Sequence, residues 1–367
     1  MTGRLRGFDS QRLDALMARF PTLRVAVLGD FFLDKYIEVD PGLAEPSLET
    51  GKTAHQVVGV RHAPGAAGTV VNNLVTLMSL QPAASEDAAA HPPALRAIGF
   101  TGDDGAGYEL RQDLAASGVD IGALGFDTAP GRRTPVYLKP KDAGMAGLEA
   151  EHSRYDLKNR VPTGKLLERN LVESVTGLFD TIDVLVAMDQ VEDEACGVFT
   201  PALYELLGRL VAGRSGPVAW ADSRRRIRRF SGFIRKINQF ELLDIRDPEP
   251  GAVLPDASIA AAMTAMERDS GAPVFVTAGG RGVWVMHASG PLIVPAVRYD
   301  GPVDPTGAGD SFTAGAVLSL AAGASPLEAA LVGNLAASVT VRKLGTTGTA
   351  SPEELRAALA LWKGQNR

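Results

Sequence analysis

The sequence predicts a doubly wound α/β fold, with a mostly parallel sheet, helices on both of its faces and a second, smaller β-sheet set apart. Three observations carry that expectation. Apolar, β-branched-rich runs, Arg24–Leu28 (RVAVL), Asp183–Ala187 (DVLVA) and Pro273–Thr277 (PVFVT), read as strands buried on both faces. Such runs alternate with segments of helical spacing, the order that builds a parallel sheet covered by helices. Two further strand-like runs, Tyr36–Val39 and His55–Val60, are not followed by a helix. Pro41-Gly42 and Pro46-Ser47 punctuate the stretch between them, as in a small antiparallel sheet outside the main one.

A chain of 367 residues is long enough for one large α/β domain, taken here as 1–367. With 45% apolar and 22% charged residues it has the balance of a globular protein. The net charge of −6 argues against nucleic acid or an anionic membrane as partner. A single cysteine, Cys196, excludes an internal disulfide and points to a reducing compartment. No apolar run approaches the ~18 residues of a membrane span. The polar, Arg-containing N-terminus lacks the apolar core of a signal peptide. A cytoplasmic enzyme is expected.

In chain order, Asp9 or Ser10 caps a first helix carrying Leu13, Leu16 and Met17, and Pro21 ends it. The first strand leads into Gly29-Asp30-Phe31-Phe32-Leu33-Asp34. Ligands of open α/β sheets bind beyond the carboxyl ends of strands, so Asp30 and Asp34 are placed to accept hydrogen bonds from ligand hydroxyls; the alternative is two loop acids turned to water. Gly51-Lys52-Thr53 is no phosphate loop, because Pro46 stands where that pattern needs a glycine. Pro64 to Leu74 leads small residues into a helix. Gln81–Pro93 reads as a surface insertion or mobile loop. Leu95–Phe100 is a strand, followed by a turn and a helix that stops at Gly118. Arg132–Tyr137 and Glu149–Tyr155 read as strands of the small sheet. Arg132, Arg133 and Arg154 either meet a substrate anion or lie solvated.

Asp189 follows a buried strand and is expected to face the pocket. Val218–Trp220 is the next strand, and the basic run Arg224–Arg229 reads as a solvated helix face. Ala278-Gly279-Gly280-Arg281-Gly282 joins two strands, not a strand to a helix, which disfavours a nicotinamide site. Ile293–Val297 is a further strand, and Ser311–Leu320 a buried helix. Between them lies Asp304-Pro305-Thr306-Gly307-Ala308-Gly309-Asp310. Free amides at a helix start bind anions, and Gly307 and Gly309 let the backbone approach a ligand closely. A carboxylate among such amides, Asp310, makes sense as a general base beside a phosphoryl group; the plainer alternative is a helix cap. Pro326–Lys343 is a long helix stopped at Gly345, with Asn334 and Ser338 on its apolar face. The five histidines form no metal pattern, and no Ser or Cys nucleophile motif occurs.

The stretch Asp304–Phe312 resembles the C-terminal signature of the ribokinase-like (PfkB) carbohydrate kinases, and the other motifs follow in family order from about Val25 to Leu355. The resemblance implies a ribokinase-like three-layer α/β/α fold. Its lid would be built from about 35–62 and 132–156. It implies that Asp310 is the catalytic base and that Gly307, Ala308 and Gly309 form the anion hole. Asp30, Asp34, Gly65, Thr69, Asn73 and Asp189 would bind the sugar, although Ala66 and Thr69 replace the Gly and Asn usual in the N-terminal signature. Lys236-Ile237-Asn238-Gln239-Phe240-Glu241 resembles a Lys-Pro-Asn-x-x-Glu element. There Asn238 and Glu241 would organise the nucleotide phosphates and, through water, Mg²⁺ held by Glu241. Thr277, Gly279, Gly282, Thr306 and Asn334 would complete the nucleotide site. ATP and Mg²⁺ are implied, as is, by analogy alone, a monovalent cation. A homodimer through the lid is expected on a different ground, because it would suit a small sheet with open edges. The tail Lys343–Leu355 resembles the heptose-7-phosphate kinase branch of the ADP-heptose synthases; their nucleotidyltransferase half has no counterpart before Arg367. The acceptor is therefore expected to be a sugar or sugar phosphate. Alternatives are a nucleoside or vitamin-type alcohol kinase, or a non-catalytic sensor on the same fold.

Overall fold

Alternating side chains sort the core into two layers on either side of one large sheet. In the first strand, β1 (Val25–Gly29), Val25 and Val27 pack into one apolar cluster, and Ala26 and Leu28 into the other. The computed structural model describes residues 5, 7–80, 94–145, 150–212, 216–249, 251–345 and 347–366; the insertion expected at 81–93 lies outside them. Helix α1 (Ser10–Met17) is capped by Asp9, whose carboxylate accepts from the amide of Arg12. After β1 come β2 (Phe31–Pro46), β3 (Thr53–Ala66), α2 (Ala67–Leu77), β4 (Leu95–Gly102), α3 (Gly105–Ala116), β5 (Asp120–Asp127), β6 (Val136–Asp142) and β7 (Tyr155–Leu157). The chain continues through α4 (Lys165–Leu178), β8 (Val184–Asp189), α5 (Pro201–Val211), β9 (Val218–Ser223), β10 (Ile234–Asn238), α6 (Gln239–Leu242) and α7 (Asp256–Ser270). It ends with β11 (Val274–Thr277), β12 (Val283–His287), β13 (Gly290–Val294), α8 (Ala308–Ala321), α9 (Pro326–Thr340) and α10 (Pro352–Gln365).

Among the described residues, nine strands form the main sheet in the order β13-β12-β11-β10-β9-β8-β1-β4-β5. The strands from β5 to β11 run parallel, and the β12–β13 hairpin is antiparallel to them. From β1 the chain moves outward to β4 and β5, then returns to place β8 on the other side of β1. That reversal opens a crevice at the carboxyl ends of β1 and β8, where doubly wound folds bind ligands. Helices α1, α2, α3, α8, α9 and α10 cover one face; α4, α5 and α7 cover the other.

The smaller sheet has the order β3-β2-β6-β7. It is mixed, not wholly antiparallel as the sequence suggested: β2 and β6 pair in parallel from Leu33 with Val136 to Val39 with Asp142. The chain re-enters this sheet after a long excursion through the core, so β6 can run in the direction of β2. The last strand is shorter and later than expected, at Tyr155–Leu157, with only an isolated bridge from Glu151 to Lys141 before it. The strand expected at 293–297 instead ends at Val294, so a long loop precedes α8.

Candidate active site

Helix α8 begins at Gly307, whose φ of 77° is left-handed, and has no side-chain cap. The Thr306 amide donates to Asp304 Oδ1 at 2.9 Å, and the amides of Ala308 and Asp310 donate to the carbonyls of Pro305 and Gly307, each at 3.1 Å. The amides of Gly307 and Gly309 have no acceptor among the described residues. Of the expected anion hole, these two donors are open, at the positive end of the helix. Two residues beyond Asp310, Phe312 is buried against Trp220 and Phe275, with ring centroids 6.3 and 6.2 Å away, so the helix start is anchored to the sheet. The buried Thr69 packs beside the turn: a Cβ at Gly307 would lie 3.3 Å from its Cγ2.

Asp310 keeps part of its surface open to the cleft, but its carboxylate has no hydrogen-bond partner among the described residues. Burial pushes its pKa up to about 7; the nearby Asp222 adds to the rise, and Lys236 and Arg224 oppose it. Lys236, on β10, is tied to Asp222 at 2.7 Å. Burial works against its charge, but Asp222, Asp310 and Glu241 outweigh that and raise its pKa. Its ammonium lies over the opening of α8, 2.7 Å from where a Cβ on Gly309 would stand. In the sequence Lys236 is one letter of the Lys-Ile-Asn element, and Asp222 lies two residues beyond the Val218–Trp220 run. The signal that could have found them is their place at the carboxyl ends of adjacent central strands.

Asp34 stands at the base of the lid, 4% exposed, with Lys139 Nζ 3.1 Å from Oδ2. Its Oδ1 is buried and unpartnered. Gly65 makes room for it, since a Cβ there would come within 2.9 Å of the carboxyl carbon. Beside the lid a cavity of about 360 Å³ is walled by Phe32, Tyr137, Arg154, Lys158, Asn159 and Arg224, among others. The rings of Phe32 and Tyr137 meet edge-on at 5.3 Å. Arg154 is thus at this cavity, paired with Asp156 and stacked over Tyr137. Arg132 is neither at a substrate anion nor solvated. It is buried, paired with Asp127, and donates to the carbonyls of Val161 and Cys196.

Four other expected ligand residues have structural partners. Asp30 accepts from the amides of Val198, Gln190 and Val191 at 2.7, 2.8 and 3.1 Å, closing the loop that follows β8. Burial, then Asp189, raises its pKa to about 6, while these amides pull it down. Asp189 is 1% exposed and saturated by Tyr204, Ser223 and Arg226 at 2.8, 2.6 and 2.6 Å. Arg226 is therefore spent on a buried pair, and the 224–229 run is a short turn, not a solvated helix face. Asn73 is fully buried and donates to the Thr69 carbonyl at 3.0 Å. Asn334 donates to the carbonyls of Val294 and Pro295 at 2.9 and 3.2 Å, which fixes α9 to the end of β13. Asp30, Asn73 and Asn334 answer backbone groups that packing would leave unpaired, and Asp189 answers buried side chains.

Asn238 and Glu241 form a reciprocal cap on α6: Asn238 Oδ1 accepts from the amides of Phe240 and Glu241, and Glu241 Oε2 accepts from Asn238. Asn238 lies opposite Thr277 in the β10–β11 pairing. Gly279 has φ of 56°; Gly282 has φ of 106°, and a Cβ on it would stand 2.1 Å from the Val294 carbonyl oxygen. Glu241 has its pKa raised by burial and feels the charges of Asp222, Lys236 and Arg224. No group of three or more His, Cys, Asp or Glu poised to hold a metal occurs among the described residues. The two carboxylates Asp222 and Glu241 nevertheless fit Mg²⁺, which takes oxygen ligands, keeps several waters and is commonly held by one or two carboxylates with substrate phosphates.

The pfkB family carbohydrate kinase model matches residues 232–354, which include α6, the 277–282 turn and the start of α8. Proteins named bifunctional protein HldE are similar over nearly the whole chain. That of Pelobacter propionicus is 29% identical over 363 residues, 96% of this chain, and that of Hyphomonas neptunium 28% identical over the same share. The chain spans 66% of the length of these relatives. Among solved structures, phosphofructokinase-2 from Escherichia coli superposes with a TM-score of 0.67 at 19% identity, covering 93% of this chain and all of that one. Ribokinase from Thermotoga maritima gives 0.63 at 18%, covering 92% and 99%. These two establish the ribokinase-like fold. Motif order, the match over 232–354 and relatives similar over nearly the whole of this chain agree in making it similar to the pfkB family carbohydrate kinases.

Proposed function

We propose that the chain works as one kinase domain that transfers the γ-phosphoryl group of ATP to a hydroxyl of a sugar phosphate of the heptose-phosphate type. The observation that carries this reading is the pairing of an unengaged, high-pKa Asp310 with two open amides at the start of α8. Asp34, with its unpartnered oxygen, binds an acceptor hydroxyl. Asp310 takes the proton of the hydroxyl to be phosphorylated. That oxygen bonds to the γ-phosphorus, the bond from phosphorus to the β,γ-bridging oxygen breaks, and the electron pair leaves with ADP. The amides of Gly307 and Gly309, with Lys236, hold the charge on the group in transit. Asn238, Glu241, Thr277 and Thr306 border the nucleotide, and Gly279 and Gly282 shape its turn. Mg²⁺, held near Asp222 and Glu241, would neutralise the donor phosphates. A monovalent cation belongs to the same proposal, as do a reducing, cytoplasmic setting and a dimer through the lid.

Arg154, Lys158 and Arg160 around the acceptor cavity favour an anionic sugar over a neutral one. The Lys343–Leu355 tail and the likeness to HldE proteins support the heptose type. The test is an ATP-coupled screen of heptose, hexose and pentose phosphates, free sugars and nucleosides, with potassium and sodium compared. A heptose phosphate is expected to lead, and Asp310→Asn to lose at least about 10³-fold in kcat while still binding ATP. Near-parental turnover by that variant would overturn the base assignment.

A further inference from the structure

The arginine that directly follows β9 differs from Arg225, Arg226 and Arg229 in having no ion-pair partner among the described residues; Arg228 shares that, but of the two only Arg224 borders both cavities. Arg226 is paired with Asp189 at 2.6 Å, Arg229 with Glu194 at 2.6 Å, and Arg225 lies 3.6 Å from Glu192. The guanidinium of Arg224 has no ion-pair or hydrogen-bond partner among the described residues. Its backbone is fixed, because its amide donates to the Asp189 carbonyl at 3.0 Å, holding the root of the side chain at the carboxyl ends of β8 and β9. Arg224 also borders two cavities. One is the 360 Å³ cavity beside the lid, with Tyr137 and Arg154; the other, of about 600 Å³, contains Asn238 and Glu241. We propose that Arg224 is a catalytic cation that bridges acceptor and donor sides and grips the phosphoryl group during transfer, an inference that rests on the kinase reading above.

The chemistry favours this residue. The transferring group spreads its charge over three equatorial oxygens. The α8 amides meet that charge from one side, and Lys236 is already bound to Asp222. A guanidinium fork with no protein partner supplies two further donors in the geometry phosphate oxygens accept. Its positive charge reaches Tyr137, Glu241 and Asp310, opposing part of the rise that burial gives each of their pKa values, so it lies within electrostatic range of both cavities and of Asp310. Being exposed and unpaired, it can be replaced without opening a hole in the core.

The experiment compares Arg224→Gln and Arg224→Lys with the parent enzyme on ATP and the leading acceptor, measuring kcat, both KM values and the melting temperature. Arg224→Gln is expected to melt with the parent and to lose about 10²–10³-fold in kcat, the usual effect of removing one transition-state donor. Its KM values should move by no more than about threefold, and lysine should recover at least about tenfold of the lost kcat. Parental kcat in Arg224→Gln would overturn the proposal. So would a loss confined to acceptor KM, which would make Arg224 a binding residue only. A parent enzyme inactive on every acceptor would refute the kinase reading itself, so the two failures are distinguishable.

Discussion

At the scale of single residues, Asp310 sets the terms. Its pKa of about 7, raised first by burial and then by Asp222, suits the base role proposed for it, near neutrality. kcat/KM should therefore rise with pH through about 7 and level off above it, and the limb should vanish in Asp310→Asn. The raised pKa has an opposite consequence for stability. The folded state holds this proton more tightly than the unfolded chain, whose carboxyl titrates near its ordinary value of 3.8. Between those values the unfolded chain binds fewer protons, so the parent's stability falls as pH rises. A tenfold tighter hold on the proton is worth up to ~1.4 kcal/mol, reduced here by the open side of the cleft. Asp310→Asn should thus melt above the parent, by a margin that grows from pH 5 to pH 7 and then stays constant. Calorimetry across that range checks it, and a margin independent of pH would show that Asp310 titrates normally. The setting of Asp310 at a helix start was legible because glycine, helix start and carboxylate sit within four adjacent positions. Its electrostatic partners were not, since Asp222, Lys236 and Arg224 converge only when β9 and β10 lie side by side.

At the scale of elements, local pattern spoke clearly for strands and helices and poorly for side-chain duties. β1, β8 and β11 are where their β-branched runs placed them. The reciprocal cap of Asn238 and Glu241 is a short local pattern that a helix start explains as well as a nucleotide site does. Asp30 and Asp189 sit at strand ends, as a ligand-binding acid would, yet both hold loop and turn groups that no sequence window contains. The parallel β2–β6 pairing was equally hidden, because pairing partners about a hundred residues apart leave no periodicity. The entry to α2 offers a sharper test. Ala66 stands at φ 54°, ψ −118°, a conformation that suits glycine and strains any residue with a Cβ, and it does so where the family signature usually has glycine. Ala66→Gly should stabilise the protein by about 1 kcal/mol, seen as a small rise in melting temperature, with kcat unchanged. A fall would mean that the lost Cβ contacts outweigh the relieved strain.

At the scale of the molecule, the main sheet is covered on both faces, whereas the lid is not. Its β3 strand is an unpaired edge, and Val57, Val58 and Val60 along it are more than half exposed, with Leu48 at its tip 99% exposed. An apolar open edge of this kind invites a second strand and needs protection from indiscriminate pairing. Pairing two lids would bury these residues. It would also hold Lys139 and Tyr36 over Asp34, because β2 carries both Asp34 and Tyr36 and pairs directly with β3 and β6. Lid pairing and acceptor binding should therefore be linked. The parent protein is expected to sediment as a dimer, and a Val58→Lys/Val60→Lys variant as a monomer with raised acceptor KM and unchanged KM for ATP. Neither position touches the α8 start, so a loss of nucleotide affinity in the monomer would break the link, and a parent that sediments as a monomer would remove the lid pairing altogether.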